Sequence, residues 1–286
     1  MTNSVGTLVV REAGWQNDLY GQLAQAGAAQ VNPLAAGLLE TLDDPRFKSL
    51  RDSFLDDLHL YPGASTLEIG CGPAMLLEPI HERIGSDGAI VGLDINPHFI
   101  AVANQRAQML GIERARFVTA DCHTLPFEDE SFDSIVAEKL LMHVAPLSRV
   151  IGEMARVLSV GGRLVLVDYD PYTAFAAGPN PTITSRVLAS AATVYASPQA
   201  AREAPRACVD VGLYVEQVRG HLLVFEDPQA RTARGIAPVW ADHAIMGRQA
   251  DPGTIQRWLK AVERAAEQRQ FMIAIPHIIT VATRVH

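Results

Sequence analysis

The chain has 286 residues, of which 48% are hydrophobic and 20% are charged, and its formal net charge is −8. This length suits about two domains or one large α/β domain with additions, and the acidic balance disfavours a nucleic-acid partner, whose phosphates require a basic surface. The 3 cysteines are too few and too scattered for a disulfide framework or a cysteine-based metal site.

The N-terminal residues 1–11 contain no basic stretch followed by an apolar core, so the sequence predicts no signal peptide. No apolar run reaches the roughly 18 residues that a membrane-spanning helix needs. We therefore expect a soluble, cytoplasmic protein without a membrane partner. The sequence does not indicate an oligomeric state.

Residues 1–60 are predicted to form a helical cap that precedes the main domain. The stretch from Gln16 to Ala29 is rich in residues that favour helix, and Asn32-Pro33 is expected to break that helix. A further helix is predicted to begin at Asp44-Pro45. The cap belongs to no strand–helix–strand unit, so we treat it as an extension of a domain at 61–286.

From residue 64 predicted strands alternate with predicted helices, which is typical of a parallel sheet covered on both faces. A turn at Val160-Gly161-Gly162 is predicted to precede the fifth strand, and residues 228–270 are predicted to form a helical insertion before the last strand. The predicted strands are Ser65–Ile69, Ala89–Asp94, Ala115–Thr119, Ser134–Ala137, Arg163–Asp168, Tyr214–Phe225 and Phe271–Val285.

The first predicted strand ends in an acid and then in two glycines, in the run Glu68-Ile69-Gly70-Cys71-Gly72. Glycine permits a positive φ and lets a ligand approach the backbone without a Cβ in the way. The N-terminus of the following helix presents free N–H groups, which favour polar or anionic groups. On this stretch alone, a junction that binds nothing remains an alternative. Glu68 either braces the loop or contacts a ligand, because a buried carboxylate needs hydrogen-bond donors.

Two further acids end the second and third predicted strands. At the end of the second strand, Asp94 can accept hydrogen bonds from both hydroxyls of a ribose, or it can cap the next helix. At the end of the third strand, Asp121 can accept a hydrogen bond from the amine of adenine, or it can be a solvated turn residue. A dinucleotide site would use the same ribose geometry, but Met75 stands where its third glycine is expected.

Five motifs resemble, in order and spacing, those of class I S-adenosylmethionine-dependent methyltransferases, in the small-molecule branch that includes ubiquinone- and menaquinone-biosynthesis enzymes. The resemblance covers residues 64–170 and continues more weakly through the last two strands. It covers neither the cap nor residues 228–270. The motifs are Leu67-Glu68-Ile69-Gly70-Cys71-Gly72, Val91-Gly92-Leu93-Asp94, Thr119-Ala120-Asp121-Cys122, Leu125-Pro126-Phe127-Glu128-Asp129-Glu130-Ser131-Phe132-Asp133 and Arg156-Val157-Leu158-Ser159-Val160-Gly161-Gly162-Arg163-Leu164.

This resemblance implies a Rossmann-like three-layer sandwich with a seven-stranded, mostly parallel sheet whose last strand is antiparallel. It also implies S-adenosylmethionine as the cofactor, with S-adenosylhomocysteine as the product, at the carboxyl ends of the first four strands. The charged pair Glu138-Lys139 departs from the uncharged residue that the family often has there, which leaves the acceptor pocket open. Carried over by position, the cofactor-binding residues are Glu68, Gly70, Cys71, Gly72, Asp94, Ile95, Asp121, Cys122, Ala137 and Glu138.

Methyl transfer from a sulfonium is an in-line displacement, so the protein mainly aligns the acceptor and, where needed, deprotonates it. His143 is the best candidate base, because it follows the fourth strand and its unperturbed pKa lies near working pH; a packing role is the alternative. Tyr169, which follows the fifth strand between Asp168 and Asp170, is the second catalytic candidate and could orient the substrate. No third ligand for a metal accompanies these two acids, so no metal is predicted.

The acceptor pocket is expected between the cap and the insertion, whose aromatic residues could shelter an apolar ring or chain. These residues could equally form the small core of the cap and of the insertion. The candidates are Trp15, Tyr20, Trp240, His243, Met246 and Trp258.

The predicted function is methyl transfer to a small, partly apolar metabolite. The alternative is an enzyme that binds S-adenosylmethionine but catalyses another reaction, such as a cyclisation. A nicotinamide-dependent oxidoreductase is disfavoured by Met75 and by the acid before the glycines. The branch that methylates nucleic-acid amines is disfavoured because Ala137-Glu138-Lys139-Leu140 lacks its Pro-Pro-aromatic run.

Overall fold

The computed structural model describes residues 24–286, which form an α/β sandwich around one mixed sheet. The strands are β1 (Ser65–Ile69), β2 (Ala89–Asp94), β3 (Ala115–Thr119), β4 (Phe132–Glu138), β5 (Leu158–Tyr169), β6 (Phe175–Ala176), β7 (Tyr214–Phe225) and β8 (Ile273–Thr283). The helices are α1 (Ala28–Leu39), α2 (Pro45–Leu55), α3 (Leu77–Ile84), α4 (Pro97–Leu110), α5 (Leu147–Val157), α6 (Pro181–Ala192), α7 (Ala200–Asp210), α8 (Arg231–Arg234), α9 (Ile236–Gly247) and α10 (Pro252–Glu267).

The described sheet has eight strands in the order β3-β2-β1-β4-β5-β8-β6, and β7 also pairs with β8. Strands β1 to β5 are parallel, whereas β8 runs antiparallel to β5, β6 and β7. The predicted Rossmann-like sandwich with an antiparallel last strand is therefore confirmed. The eighth strand is the two-residue β6, which pairs with Ile273 and Ala274 at the start of β8. It was not predicted because two residues carry no periodicity.

Alternate residues of the central strands face two different helical layers, as the pleat of a strand requires. Val136, Val165 and Val167 pack in the core on the side of α2, α3 and α4. Ile135 and Leu164 pack in the core on the side of α5 and α7. Because both faces are covered, the carboxyl edge of the parallel strands is where loops are free to build a site.

The part of the cap within the described residues differs from the prediction at Pro33. Helix α1 runs through this proline from Ala28 to Leu39, so Asn32-Pro33 does not break it. Val31 and Ala35 are buried against Phe99 of α4, and this packing holds the helix together where one backbone hydrogen bond is lost. Residues 16–23 of the predicted first helix lie outside the described residues.

The predicted turn at Val160-Gly161-Gly162 is part of β5, which begins at Leu158 rather than at Arg163. Gly161 has a φ of 81°, and its N–H donates to the carbonyl of Arg284 at 2.7 Å. Arg284 N–H donates in return to the carbonyl of Gly162 at 3.2 Å. The glycines therefore continue the pairing with the end of the last strand, a long-range contact that local turn signals do not reveal.

The helical insertion predicted at 228–270 comprises α8, α9 and α10, and it packs against α6. The rings of Trp240 and Trp258 lie 6.5 Å apart, and both side chains are buried. Trp258 Nε1 donates a hydrogen bond to Thr184 Oγ1 of α6 at 3.1 Å. These two tryptophans form the core of the insertion. Among the described helices, none is long and apolar enough to cross a membrane.

Candidate functional site

A cavity of about 380 Å³ lies at the carboxyl ends of β1, β2, β4 and β5. Two other parts of the chain close it. Leu34 and Leu38 of α1 contribute from the cap, and Val239, Asp242 and His243 of α9 contribute from the insertion. One end of the cavity, the loop end, is formed at the strand ends by Glu68, Gly70, Cys71, Gly72, Asp94 and Glu138. The other end, the aromatic end, is formed beside the insertion by His143, Tyr169, Tyr195 and His243.

The loop end is built on the turn that follows β1. Gly70 and Gly72 have φ values of 70° and 50°, and the N–H groups of Gly70 and Cys71 donate to the carbonyl of Leu93 at 2.7 and 3.0 Å. A Cβ on Gly70 would meet Leu140 Cδ1 at 2.9 Å, so only glycine fits there without displacement of a neighbour. These hydrogen bonds hold the turn beside the cavity, which both glycines line.

Asp94 fixes the same loop from the end of β2. Its Oδ2 accepts a hydrogen bond from Gly72 N–H at 3.0 Å, and its Oδ1 accepts one from Asn96 N–H at 2.9 Å. Asn96 in turn caps α4 through its bond with His98 N–H at 2.8 Å. Burial raises the pKa of Asp94, although these backbone donors act to lower it. The carboxylate lines the cavity and is positioned by backbone groups, and its predicted contact with a ribose stays a prediction.

Glu68 is buried at the end of β1 and lines the cavity. Its Oε2 has no hydrogen-bond partner within residues 24–286. Burial, and then the nearby Glu138 carboxylate, raise the pKa of Glu68 to about 8. A buried acceptor that lacks a donor is costly, so this oxygen is suited to a donor or a cation brought by a ligand.

The cap contributes a buried ion pair to the end of β4. Arg51 Nε lies 3.1 Å from Glu138 Oε2, and both side chains are only 5% exposed. Arg51 also donates to Thr41 Oγ1 at 3.1 Å, and Lys139 Nζ lies 3.8 Å from Glu138 Oε1. Burial acts to raise the pKa of Glu138, but Arg51 and Lys139 outweigh it and lower that pKa. A residue from the cap thus makes the shorter of the two ion pairs of Glu138.

Eight of the ten predicted cofactor residues line this cavity, whereas Asp121 and Ala137 do not. Asp121 Oδ1 accepts hydrogen bonds from His123 N–H at 2.9 Å and from His123 Nδ1 at 2.6 Å. Against the effect of burial, these contacts lower the pKa of Asp121. Asp121, Cys122 and His123 each offer a metal-ligating atom within 4.8 Å of the others. The predicted contact of Asp121 with adenine stays a prediction.

The aromatic end brings together residues from four separate segments. Both predicted catalytic residues, His143 and Tyr169, line it with Tyr195 and His243. Tyr169 Oη lies 2.5 Å from Tyr195 Oη, which lies 3.4 Å from His243 Nδ1. The His143 ring packs edge-on against Tyr195, with centroids 5.4 Å apart. The polar atoms of the tyrosines and His243 therefore form a continuous row.

The titratable groups of the aromatic end are uncharged at neutral pH. Burial lowers the pKa of His243 to about 4, and burial together with His243 and Lys139 lowers that of His143 to about 4. Burial raises the pKa of Tyr195 to about 12, and it raises that of Tyr169 well above the usual range. These imidazoles are neutral and these phenols are protonated, so they offer hydrogen bonds without charge.

Sequence reasoning missed Arg51 and Tyr195. Arg51 is on the helix that was predicted to begin at Asp44-Pro45, but nothing nearby in the sequence shows that it meets Glu138. Tyr195 follows the Ala/Ser/Val-rich helix α6 and is the only aromatic residue between 176 and 213. That isolation was a usable signal. Of the insertion residues, His243 lines the cavity, and Met246 packs beside Tyr195. Trp15 and Tyr20 lie outside the described residues.

A family model described as "Methyltransferase domain" matches residues 60–221, more than half of the chain. This range contains the glycine loop, both acids that follow strands β2 and β3, and the whole of the aromatic end except His243.

Two curated proteins are similar to part of the chain. An uncharacterised 37.1 kDa protein in transposon TN4556 of Streptomyces fradiae is 35% identical over 132 residues, which are 46% of this chain and 37% of that protein. Demethylmenaquinone methyltransferase of Bacillus cytotoxicus is 28% identical over 123 residues, which are 43% of this chain and 52% of that enzyme. The chain thus spans about half or less of these relatives.

Among solved structures, geranyl diphosphate C-methyltransferase from Streptomyces coelicolor A3(2) has a TM-score of 0.55 with 17% sequence identity. The match covers 97% of this chain and 92% of that chain. That crystal structure contains Mg²⁺, geranyl diphosphate and S-adenosyl-L-homocysteine. At this identity the likeness supports the fold.

Proposed function

Because the chain belongs to the methyltransferase-domain family, as its motifs predicted, we propose that it transfers a methyl group from S-adenosylmethionine to a small, partly apolar molecule. The observation that carries this proposal is the acidic loop end. Glu68, Asp94 and Glu138 all line the cavity beside the glycine loop, and Glu68 Oε2 lacks a partner within residues 24–286. Carboxylates favour a cationic ligand and disfavour the pyrophosphate of a dinucleotide.

The residues at this end fit S-adenosylmethionine. Gly70 and Gly72 both line the cavity, and a Cβ on Gly72 would meet no atom nearer than Leu38 Cδ1 at 3.9 Å. Asp94 lies where a carboxylate can accept hydrogen bonds from ribose hydroxyls. Glu68 offers its unpartnered oxygen to a cationic group of the ligand. When bound, the cofactor supplies a methyl group activated by its sulfonium. The chain then has to align the acceptor, exclude water and receive any proton that is released.

The apolar lining supports the choice of acceptor. Leu34 and Leu38 from the cap and Met142 and Val239 around the aromatic end line the cavity, which suits a partly apolar molecule. We propose that residues 1–60 act as a cap, that 61–286 form the methyltransferase domain and that 228–270 contribute a lid over the acceptor. The positions of Leu34, Leu38 and His243 in the lining support this division.

Calorimetric titration with S-adenosylmethionine and with NAD tests the cofactor. We expect S-adenosylmethionine to bind and NAD to bind far more weakly; tighter binding of NAD would contradict the proposal. The reaction is tested by incubating the protein with S-adenosylmethionine and pools of small apolar acceptors. Mass spectrometry should detect S-adenosylhomocysteine together with a product heavier by one methylene.

The alternative function is a reaction other than methyl transfer, such as a cyclisation, in an enzyme that binds S-adenosylmethionine. The same incubation distinguishes the two, because a cyclisation consumes no cofactor and yields no S-adenosylhomocysteine. We further propose a cytoplasmic location. The three cysteines are buried and are not joined in disulfides among the described residues, which is compatible with a reducing compartment.

A further inference from the structure

The row formed by Tyr169, Tyr195 and His243 joins three segments that are far apart in the sequence. Tyr169 ends β5, Tyr195 follows α6, and His243 is on α9 of the insertion. The three polar atoms are separated by 2.5 and 3.4 Å, and all three side chains line the cavity. The row therefore connects the proposed reaction centre with the insertion.

The surroundings of this row do not suit an anionic acceptor. Among the described lining residues, Lys139 is the only lysine or arginine; burial lowers its pKa, and it lies 3.8 Å from Glu138. Asp242 adds a further acid next to His243. A diphosphate or phosphate ester would have to leave water without a cluster of cations to receive it. An uncharged acceptor encounters no such penalty.

The chemistry of the three groups sets the direction of their hydrogen bonds. In the tautomer of His243 that carries its proton on Nε2, the Nδ1 lone pair is a much stronger acceptor than the oxygen of a phenol, and Tyr195 then donates to it. Tyr195 then has oxygen lone pairs for the Tyr169 hydroxyl, which donates across the 2.5 Å contact. In this arrangement Tyr169 Oη is the end of the row, with lone pairs available to a donor in the cavity.

We propose that the row Tyr169–Tyr195–His243 binds the hydroxyl of an uncharged acceptor and receives its proton during methyl transfer; this inference rests on the proposed function. The acceptor oxygen forms a bond with the methyl carbon as the methyl–sulfur bond breaks, and that electron pair stays on sulfur. The acceptor proton moves to Tyr169 Oη, the Tyr169 proton to Tyr195 Oη and the Tyr195 proton to His243 Nδ1.

The charge balance of the cavity favours this route. The reaction removes the positive charge of a sulfonium and creates one imidazolium in the same enclosed space, so the net charge is unchanged. His243 is a weak base with a lowered pKa, but a hydroxyl that is being methylated becomes strongly acidic, so a weak base is sufficient. Tyr169 is the group that touches the acceptor, and Tyr195 and His243 act through it.

The direction of the row can be tested without any substrate. Long-range ¹H–¹⁵N NMR of the 286-residue chain distinguishes the two imidazole tautomers, and His243→Gln identifies the His243 signals. We expect His243 to carry its proton on Nε2, with Nδ1 as a hydrogen-bonded acceptor. Tyr195→Phe should shift the Nδ1 resonance to that of a free acceptor. A proton on Nδ1, or no shift in Tyr195→Phe, would overturn the proposed direction.

The His143 signals provide an internal control for the Tyr195→Phe variant. The phenylalanine ring keeps the edge-on contact with His143, so the His143 signals should stay unchanged if the variant is folded normally. A general loss of structure would move both histidines. Only the loss of the Tyr195 hydroxyl moves His243 alone.

The acceptor class is tested with three matched probes: naphthalene, 2-naphthol and 2-naphthyl phosphate. Their affinities are measured by calorimetry with the protein saturated with S-adenosylhomocysteine. We expect 2-naphthol to bind about fivefold more tightly than naphthalene, which is the gain of one neutral hydrogen bond. Tyr169→Phe should remove that difference and leave naphthalene binding unchanged. Tighter binding of the phosphate, equal binding of naphthalene, or no binding of 2-naphthol would overturn the inference.

The two levels of proposal fail separately. If S-adenosylhomocysteine and S-adenosylmethionine do not bind, the proposed function is wrong, whatever the NMR experiment shows. If they bind and the phosphate probe is preferred, the methyltransferase proposal survives and the uncharged-acceptor inference is overturned.

Discussion

The two ends of the cavity are built in opposite ways. The loop end consists of a short run of backbone after β1 with acids at neighbouring strand ends, and its parts are close together in the sequence. The aromatic end consists of side chains from four distant segments, held together by packing of the insertion. The loop end is acidic and suited to a cation, whereas the aromatic end is uncharged. In the proposed function, the loop end binds the cofactor and the aromatic end binds the acceptor.

The largest effect on stability is expected at Arg51, the cap residue that forms an ion pair with Glu138 of the loop end. Arg51→Ala removes the closer of the two cations beside Glu138, so that this 5% exposed carboxylate keeps only Lys139, at 3.8 Å. Breaking a buried pair from one side costs about 3–5 kcal/mol, because the remaining charge is uncompensated. We expect the free energy of unfolding, measured in urea, to fall by that amount.

The matched control for this variant is Arg83→Ala, whose partner Asp56 has an 83% exposed side chain. An exposed pair contributes about 0–1 kcal/mol, so this variant should be nearly as stable as the parent. Adding Glu138→Gln to Arg51→Ala should recover part of the loss, because the unpaired charge is removed. Equal stability of Arg51→Ala and Arg83→Ala would show that Glu138 is neutral or solvated, and Glu138 would then contribute no charge to the loop end.

The second prediction concerns the loop end alone. Asp94→Ala should weaken binding of S-adenosylmethionine by about 1.5–3 kcal/mol, the range for hydrogen bonds to a charged group, or roughly ten- to 150-fold. The loss includes loosening of the loop, since Gly72 N–H and Asn96 N–H both donate to this carboxylate. Calorimetry measures the affinity, and circular dichroism shows whether the variant is folded.

Asp87→Ala is the control, because Asp87 is exposed in the turn at the opposite end of β2. Its affinity should equal that of the parent. Asp94→Asn, which keeps one acceptor oxygen, should fall between the parent and Asp94→Ala. Unchanged affinity in folded Asp94→Ala would remove the ribose role and leave Asp94 as a capping residue.

The contrast between the two ends of the cavity explains how much of the molecule could be predicted from the sequence. The bounds of β1, β2, β3 and β7 agree with prediction, since each strand is an apolar or alternating run that ends at a glycine, an acid or a turn. The glycine loop and Asp94 were found because strand, turn and acid follow one another within one βαβ unit. The predictions failed at Pro33 and at the Gly161-Gly162 pairing, where distant packing outweighs the local signal.

The aromatic end could be predicted only in part. Tyr169 and His143 were found because each follows a strand, a position that the chain order reveals. Tyr195 could not be connected with Tyr169 or His243, because their meeting depends on how α6 and α9 pack against each other. No periodicity in the sequence encodes that packing.

The third prediction uses the titration of Glu68. In the free protein its pKa is raised to about 8, so it is protonated at lower pH. A bound cation favours the carboxylate and lowers that pKa, so protons and the cation compete. The affinity for S-adenosylmethionine should therefore rise with pH by up to about tenfold per unit, or about 1.4 kcal/mol, and level off above pH about 8.

Calorimetry in buffers of different ionisation enthalpy should detect release of a proton on binding near pH 7. Glu68→Gln should bind with an affinity that no longer depends on pH in this range. S-adenosylhomocysteine, which lacks the sulfonium but keeps the ammonium, shows which cation Glu68 senses. An affinity that is constant, or that falls as pH rises, would mean that Glu68 braces the loop and does not face the ligand.

The smallest effect is expected at Asp121, which the motifs assign to the adenine but which does not line the cavity. Its side chain is 54% exposed, and both contacts of its Oδ1 come from His123. A hydrogen bond to an exposed group competes with water, so Asp121→Asn should weaken binding of S-adenosylmethionine by less than about 1 kcal/mol, or fivefold. His123→Ala, which frees the carboxylate, is the companion variant in the same calorimetric titration. If Asp121→Asn weakens binding of S-adenosylmethionine as much as Asp94→Ala does, Asp121 must leave His123 when the cofactor binds. The loop after β3 would then move towards the nucleoside and become part of the loop end.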